Sequence, residues 1–276
     1  MPRYGPIFDD TEEVRRRLWA PIYEAVLTIL GSTGTIIPMG DTNDEPADRT
    51  TVTSRGDVQG VWTYTPGAVT VFDQGPAFEG PGYIPVIAFN GASEALTTPD
   101  VAYYTRGNGT TDSAFSVGVW ANVTDTAAAR TFFSKWQGAA ANEWTFYVDA
   151  SDLLILDLQD ESVDIDTLRT SDAAIAMGAW RLFVATYDGT GGATAANGII
   201  LYSNGATIAS TATNNASYVA MEDTAATPAI GMVADPASYY QGSLAGGPLS
   251  PFFVQAVLSA DAILRLYQLG RPGLGV

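Results

Sequence analysis

The sequence predicts an all-β fold, an antiparallel sandwich or barrel with a helix towards each end, and three observations carry that expectation. From about residue 51, apolar and polar residues alternate for some two hundred residues, the period of a strand with one face turned inward. The alternating runs are short and bounded by Gly, Asn, Asp and Pro, as in sheets whose strands are joined by tight turns. Helical spacing is confined to residues 10–31 and to a short stretch near the C-terminus.

In chain order, Asp9, Asp10 and Thr11 offer N-cap oxygens, Glu12 and Glu13 suit the positive end of a helix dipole, and Gly31 is placed to end the helix. Val14, Leu18, Trp19, Ile22, Tyr23, Val26, Leu27 and Leu30 form one apolar stripe on it, and Pro21 predicts a kink or a division into two short helices. Arg15, Arg16 and Arg17 interrupt the acidic background. Residues 32–50 are rich in turn formers and acids and read as a linker or extended arm. The domain division expected is therefore 1–50, an anchor helix and arm, and 51–276, the β domain. Strands are expected at Gly60–Tyr64, Val69–Phe72, Ile84–Phe89, Ala114–Asn122, Arg130–Trp136, Trp144–Val148, Leu153–Leu158, Trp180–Tyr187, Gly198–Ser203 and Thr207–Thr211. Asn204-Gly205 is the strongest hairpin signal, and residues 149–152 mark a second tight turn. A last helix begins at Ser259, its cap, carries Asp261 in its first turn and is expected to stop at Gly270.

Composition removes much chemistry. Among 276 residues there is neither cysteine nor histidine, so disulfides, thiolate nucleophiles, Cys-ligated zinc, imidazole bases and Ser-His-Asp triads are all excluded. Catalysis would fall to carboxylates, tyrosine, arginine or the single lysine, Lys135. A metal would be oxygen-ligated, calcium before zinc. Thirteen cations against 30 acids give a formal charge of −17, which repels phosphate backbones and anionic membrane surfaces, so neither nucleic acid nor membrane is expected as a partner. No run approaches the ~18 apolar residues of a membrane span, and Arg15–Arg17 with the following apolar run lack the form of a signal peptide. Apolar residues make up 46% of the chain, enough for a sizeable core.

A family resemblance emerges from the order of certain blocks. Phe89-Asn90-Gly91-Ala92-Ser93-Glu94-Ala95-Leu96 is followed by Ala114-Phe115-Ser116-Val117-Gly118-Val119-Trp120 and by Ser134-Lys135-Trp136. Then come Trp180 through Gly189 (WRLFVATYDG), Ile200 through Gly205 (ILYSNG), Tyr240-Gln241-Gly242-Ser243-Leu244, and Ala256-Val257-Leu258-Ser259-Ala260. The series resembles the LamG-like jelly-roll domains of the concanavalin A-like lectin and glucanase superfamily over roughly residues 55–268. The resemblance implies a jelly-roll β-sandwich, in which Trp120, Trp180 and Phe183 are expected to fill the space between two sheets. Asn90 stands where the family carries Asp, and Ala245 through Phe253 (AGGPLSPFF) replaces its usual last strand, so two carboxylates that hold calcium in many relatives are missing here. The glycines and prolines of that segment predict a bulged or edge strand presented to a neighbour. The GGPLSP form is similar to LamG-like proteins among bacteriophage structural genes.

Candidate chemistry is sparse. Asp157, Asp160, Glu161, Asp164 and Asp166 cluster, and Asp164 and Asp166 would share a strand face, but their spacing does not match the superfamily's Glu-x-Asp-x-x-Glu, so no catalytic residue or enzymatic activity is expected. No cofactor is called for, calcium being the one left open. Tyr103, Tyr104, Tyr239 and Tyr240, with Trp136 and Trp144, are the candidate aromatic platform for a glycan. The expectation is a non-enzymatic virion structural protein, a phage capsid decoration or head/tail surface protein displayed at the virion surface. Leu18, Trp19, Ile22, Tyr23, Val26, Arg15 and Arg16 would dock it on other virion proteins, with self-association besides, and deleting residues 1–31 would leave a soluble sandwich. The alternative is a carbohydrate-binding, lectin-like module for host-surface or polysaccharide recognition, and a glycoside hydrolase comes last.

Overall fold

The computed structural model describes residues 12–40, 50–65, 70–72, 84–124, 128–138, 141–233 and 238–276, without the side chains of residues 12–18 and 70–72. Within them, antiparallel strands build two stacked sheets. The front sheet runs, edge to edge, through Ser210–Thr213, Ile165–Ser171, Leu154–Asp160, Asn142–Val148, Arg130–Trp136, Pro228–Ile230, Ala95–Thr97, Val61–Thr65 and Thr51–Thr53. The back sheet follows Ala206–Thr207, Ile199–Ser203, Trp180–Tyr187, Phe115–Val123, Gln241–Ala245, Val86–Asn90 and Thr70–Phe72. Alternation explains the layering: in Val61–Thr65 the burial pattern places Trp62 and Tyr64 inward and Val61, Thr63 and Thr65 outward. The inward residues of both sheets meet in one aromatic core in which Phe115 stacks on Phe253, and Phe132 on Phe183.

The back sheet is buried on both faces. Helix α1, Glu12–Leu30, and helix α2, Ala260–Leu274, lie over its outer face and share a second apolar core with it. Trp120 and Trp180 belong to this second core. The strands pair Leu182 with Trp120 and Phe183 with Val119, so only Phe183 turns towards the front sheet and the two tryptophans turn the other way, under the helices. The expectation that all three fill the gap between the sheets is corrected by one step of strand register.

Two further expectations change for physical reasons. Gly34–Ile36 pairs antiparallel with Phe252–Val254 and with Arg55–Gly56, and Ile36, Ile37 and Met39 are fully buried. Residues 34–40 are therefore packed into the sandwich. Residues 246–251 divide one strand line into Gln241–Ala245 and Phe252–Val254, which pair with successive stretches of Phe115–Val123 around a short 3-10 turn, Gly247–Leu249. Every residue from 246 to 254 is buried, so the segment is an interior break and not an edge offered to a neighbour.

Local signals decide the turns and caps. Asn204 and Gly205 have φ of 52° and 82°, the double left-handed turn that an Asn-Gly hairpin requires. Ser259 Oγ accepts the Ala262 N–H at 3.1 Å and caps α2. That helix passes Gly270 and stops at Gly275 instead. Gly270 is needed inside it because a Cβ there would lie 2.6 Å from Trp120 Nε1. Helix α1 runs unbroken through Pro21 and ends before Gly31. No helix among the described residues is long and apolar enough to cross a membrane.

Candidate functional site

With both described helices on the back sheet, none of them covers the outer face of the front sheet, whose central strands Arg130–Trp136, Asn142–Val148 and Leu154–Asp160 are nevertheless buried almost throughout. One line of paired residues crosses all nine strands on it. From Thr213 it passes to Leu168, Asp157, Thr145 and Ser134, and then to Ala229, Thr97, Thr63 and Thr51. Paired residues on neighbouring strands share a face, and their immediate chain neighbours Leu156, Leu158, Trp144, Phe133, Leu96 and Trp62 all lie in the inter-sheet core. Seven of these nine residues carry a hydroxyl or a carboxyl, Leu168 and Ala229 being the exceptions, and neighbouring positions are about 4.8 Å apart, the spacing of hydrogen-bonded strands.

A small hairpin, Met232–Val233 paired with Ser238–Tyr239, walls this surface in the middle. Ser134 Oγ donates to Met232 O at 2.7 Å and Ser238 Oγ to Ala129 O at 3.0 Å, which ties the hairpin to the Arg130–Trp136 strand. Between the hairpin and the Ser210–Thr213 edge lies a polar cluster that the structure leaves incomplete. Thr145, Asp157 and Gln159 are 6%, 7% and 3% exposed, yet Thr145 Oγ1, Asp157 Oδ1 and Gln159 Oε1 have no hydrogen-bond partner. Buried polar atoms are ordinarily paired, so three unpartnered oxygens side by side on two adjoining strands make this cluster the candidate site. Gln159 is held by its amide, which donates to Asp164 Oδ1 at 2.8 Å. Burial, reinforced by Asp166, raises the Asp157 carboxyl well above its ordinary value, and only the Leu158 N–H counters this. Burial also raises Asp166, with Asp164 and Glu161 adding to it, and raises the Tyr147 hydroxyl, with Asp157, Asp149 and Asp166 adding to it. Tyr147 pairs with Ile155 and Thr131 on this same face, and Trp136 follows Ser134 onto it by alternation; both are half-buried.

Most of the residues singled out from sequence lie elsewhere. Tyr103, Tyr104 and Tyr240 are core residues: the Tyr103 hydroxyl donates to Thr33 O and Phe253 O, Tyr104 packs edge-on against Trp62, and Tyr240 is fully buried against Phe89 and Phe132. They can form no sugar platform, because aromatic rings in a sheet sequence are spent first on the core. Trp144 is likewise in the core, whereas Tyr239 is half-buried on the hairpin that bounds the face. Of the docking residues, Trp19, Tyr23 and Val26 are buried on the chain's own back sheet, with Ile22 packed against them, and Arg55 lies 4.0 Å over the Tyr23 ring. The described part of the stripe is therefore packed on the chain's own back sheet. The side chains of Arg15, Arg16 and Leu18 lie outside the described residues.

The remaining acids tie down turns. Asp164 sits in the turn before Ile165–Ser171, with φ of 55°, and so does not share a strand with Asp166. Asp112 accepts from the Tyr187 and Tyr218 hydroxyls and from Met221 N–H, Asp160 from Val219 N–H, and Glu143 from Thr224 N–H, so three carboxylates tie down residues 218–224. Lys135, the single lysine, is fully buried and paired with Glu143; burial nonetheless pushes that carboxyl up to about 7. Among the described residues no group of three acids is placed to hold a metal ion.

Two concavities lack the makings of a polar site. The groove lined by Trp19, Ile22, Ile84, Leu249, Leu269 and Pro272 is apolar throughout. The rim cleft at Ala173–Ala176 contains Arg181, but its Nε is already engaged with Ala176 O, and no buried polar atom in that lining lacks a partner. The sequence nevertheless carried a signal for the outer face. In residues 142–148 and 154–160, NEWTFYV and LILDLQD, Thr145 falls between the core residues Trp144 and Phe146, and Asp157 and Gln159 flank the core residue Leu158. Alternation gives the face but not which of its atoms go unpaired.

The family model described as "Concanavalin A-like lectin/glucanases superfamily", Laminin_G_3, matches residues 90–246. No curated protein matches the chain. Among solved structures, the receptor binding domain of botulinum neurotoxin C/D mosaic serotype is 11% identical with a TM-score of 0.55, covering 86% of this chain and 50% of that one. The binding domain of botulinum neurotoxin DC in complex with SialylT is 12% identical with a TM-score of 0.53, covering 87% and 52%. The serotype C1 binding domain is 12% identical with a TM-score of 0.54, covering 87% and 53%. At such identities the likeness is one of fold, and this chain spans about half the length of those binding domains.

Proposed function

Because the chain belongs to the concanavalin A-like lectin/glucanases superfamily, we propose that it is a non-enzymatic, carbohydrate-binding module whose saccharide lies on the outer face of the front sheet. One observation carries the reading: Thr145 Oγ1, Asp157 Oδ1 and Gln159 Oε1 are withdrawn from water without partners, side by side, next to the half-buried rings of Tyr147 and Trp136. A sugar supplies both things such a place lacks, hydroxyls that donate and accept and C–H faces that pack on aromatic rings. A neighbour in fold was solved with SialylT bound, which supports glycan recognition as a use of this architecture. The virion-surface reading needs a free N-terminal stripe, and Trp19, Tyr23 and Val26 are already buried on the chain's own sheet, so the lectin-like reading takes precedence.

The test is a glycan array probed with the full chain and with Thr145→Val, which keeps the side chain's shape and removes the hydroxyl. Saturable binding that falls at least tenfold in the variant is the expected result, in line with the roughly 1–3 kcal/mol that an unsatisfied buried polar group costs. An array without any bound glycan overturns the proposal.

A further inference from the structure

Resting on the proposal that the front face binds sugar, we infer that its ligand class is neutral saccharide, laid across the strands along the hydroxyl line, and that sialylated, uronic or sulfated glycans are refused. The charge of the face decides this. The front-sheet strands carry three cations, and all three are on the inward register: Arg130 pairs with Val148, Lys135 with Trp144 and Arg169 with Leu156. Each is engaged there, Arg130 with Asp152, Lys135 with Glu143, and Arg169 with Ser210. The outward register holds Asp157 and Asp166 instead, with Asp149, Glu161 and Asp164 in the turns at the strand ends. An anionic sugar would bring a like charge beside Asp166 and the turn acids Asp149, Glu161 and Asp164, with no described cation on the face to meet it.

The geometry also selects for hydroxyls. Thr145 and Asp157 are directly paired across neighbouring strands, Gln159 is two residues further along and opposite Asp166, and Ser134 stands on the other side of Thr145. The hydroxyl of Thr145 can donate and accept, the free oxygens of Asp157 and Gln159 accept, and a protonated Asp157 donates; an uncharged polyol answers every one of these roles without adding charge. The hairpin Met232–Val233/Ser238–Tyr239 blocks the line at Ser134, so the bound chain lies between it and the Ser210–Thr213 edge.

Isothermal titration of the full chain separates the outcomes. One arm uses neutral hexasaccharides of glucan, xylan, mannan and galactan type, and the other uses oligogalacturonate and 3′-sialyllactose, both at low ionic strength. Binding confined to the neutral arm, reduced at least tenfold by Thr145→Val or Asp157→Leu in variants whose melting stays cooperative, is expected. Asp166→Lys, at an exposed position, is expected to admit the oligogalacturonate, a gain of function that a purely structural role of Asp166 would not produce. Preferential binding of the acidic arm by the native chain overturns this inference and leaves the lectin reading standing. Failure of every probe on both arms overturns the lectin reading itself.

Discussion

At the scale of single residues, Asp157 shows how a buried carboxyl burdens its own fold. Its carboxyl is raised by burial and by Asp166, so the folded chain holds a proton that the unfolded chain, titrating near 3.8, gives up. Between that ordinary value and its own raised one, the unfolded state binds fewer protons and stability falls as pH rises. Asp157→Asn removes the titration while keeping the shape. Its melting temperature is therefore expected to equal or trail the native value near pH 3.5 and to exceed it increasingly towards pH 7, a gain of order 1–3 kcal/mol. Thermal melts of both proteins across that range check the sign; a difference independent of pH would show that Asp157 titrates normally. The same residue shows what sequence conveyed and what it withheld. Asp157 stands out by its place among Leu154, Leu156 and Leu158, but whether its oxygens are paired depends on what packs over the sheet, which alternation does not encode.

At the scale of elements, strands were legible where one face is core and the other is not. Arg130–Trp136 and Trp180–Tyr187 fall where the pattern predicts, residue for residue. Short strands such as Gly34–Ile36, Ala95–Thr97 and Pro228–Ile230 escaped because three residues hold too little periodicity to register and their pairing is fixed by partners far along the chain. Helix α2 was legible at its start and misjudged at its end, since Gly270 has the form of a stop signal but serves a close approach. Trp120 lies flat against this helix, stacked on Tyr267 at 5.7 Å between ring centroids, and a side chain at position 270 would collide with its indole. Gly270→Ala is thus expected to destabilise by about 1–3 kcal/mol despite alanine's better helix propensity, because the overpacking outweighs a gain of about 1 kcal/mol. Urea denaturation of the variant reads the difference directly, and a stabilised protein would show that the helix can slide off the indole.

At the scale of the whole molecule, the described residues form three layers: helices, back sheet and front sheet. This reverses the expectation for the N-terminal region. A helix with an apolar stripe and a different charge balance reads as a detachable anchor, but the sequence alone does not show that Trp120, Trp180, Leu182 and Val184 sit on the far side of the back sheet and need cover. Trp19, Tyr23, Val26 and Leu30 supply it, and at ~1.5–3 kcal/mol for each large side chain withdrawn from water their combined contribution rivals the ~5–15 kcal/mol that holds a typical domain folded. Deleting residues 1–31 is accordingly expected to strip that cover and yield a chain that aggregates or binds a hydrophobic dye, not the soluble sandwich that an independent anchor would leave. If the truncated chain remains monomeric with an unchanged melting transition, α1 contributes nothing to the fold and its stripe is free for another molecule. Loss of solubility would instead show that α1 closes the outer face of the back sheet, where Trp120, Trp180, Leu182 and Val184 need its cover.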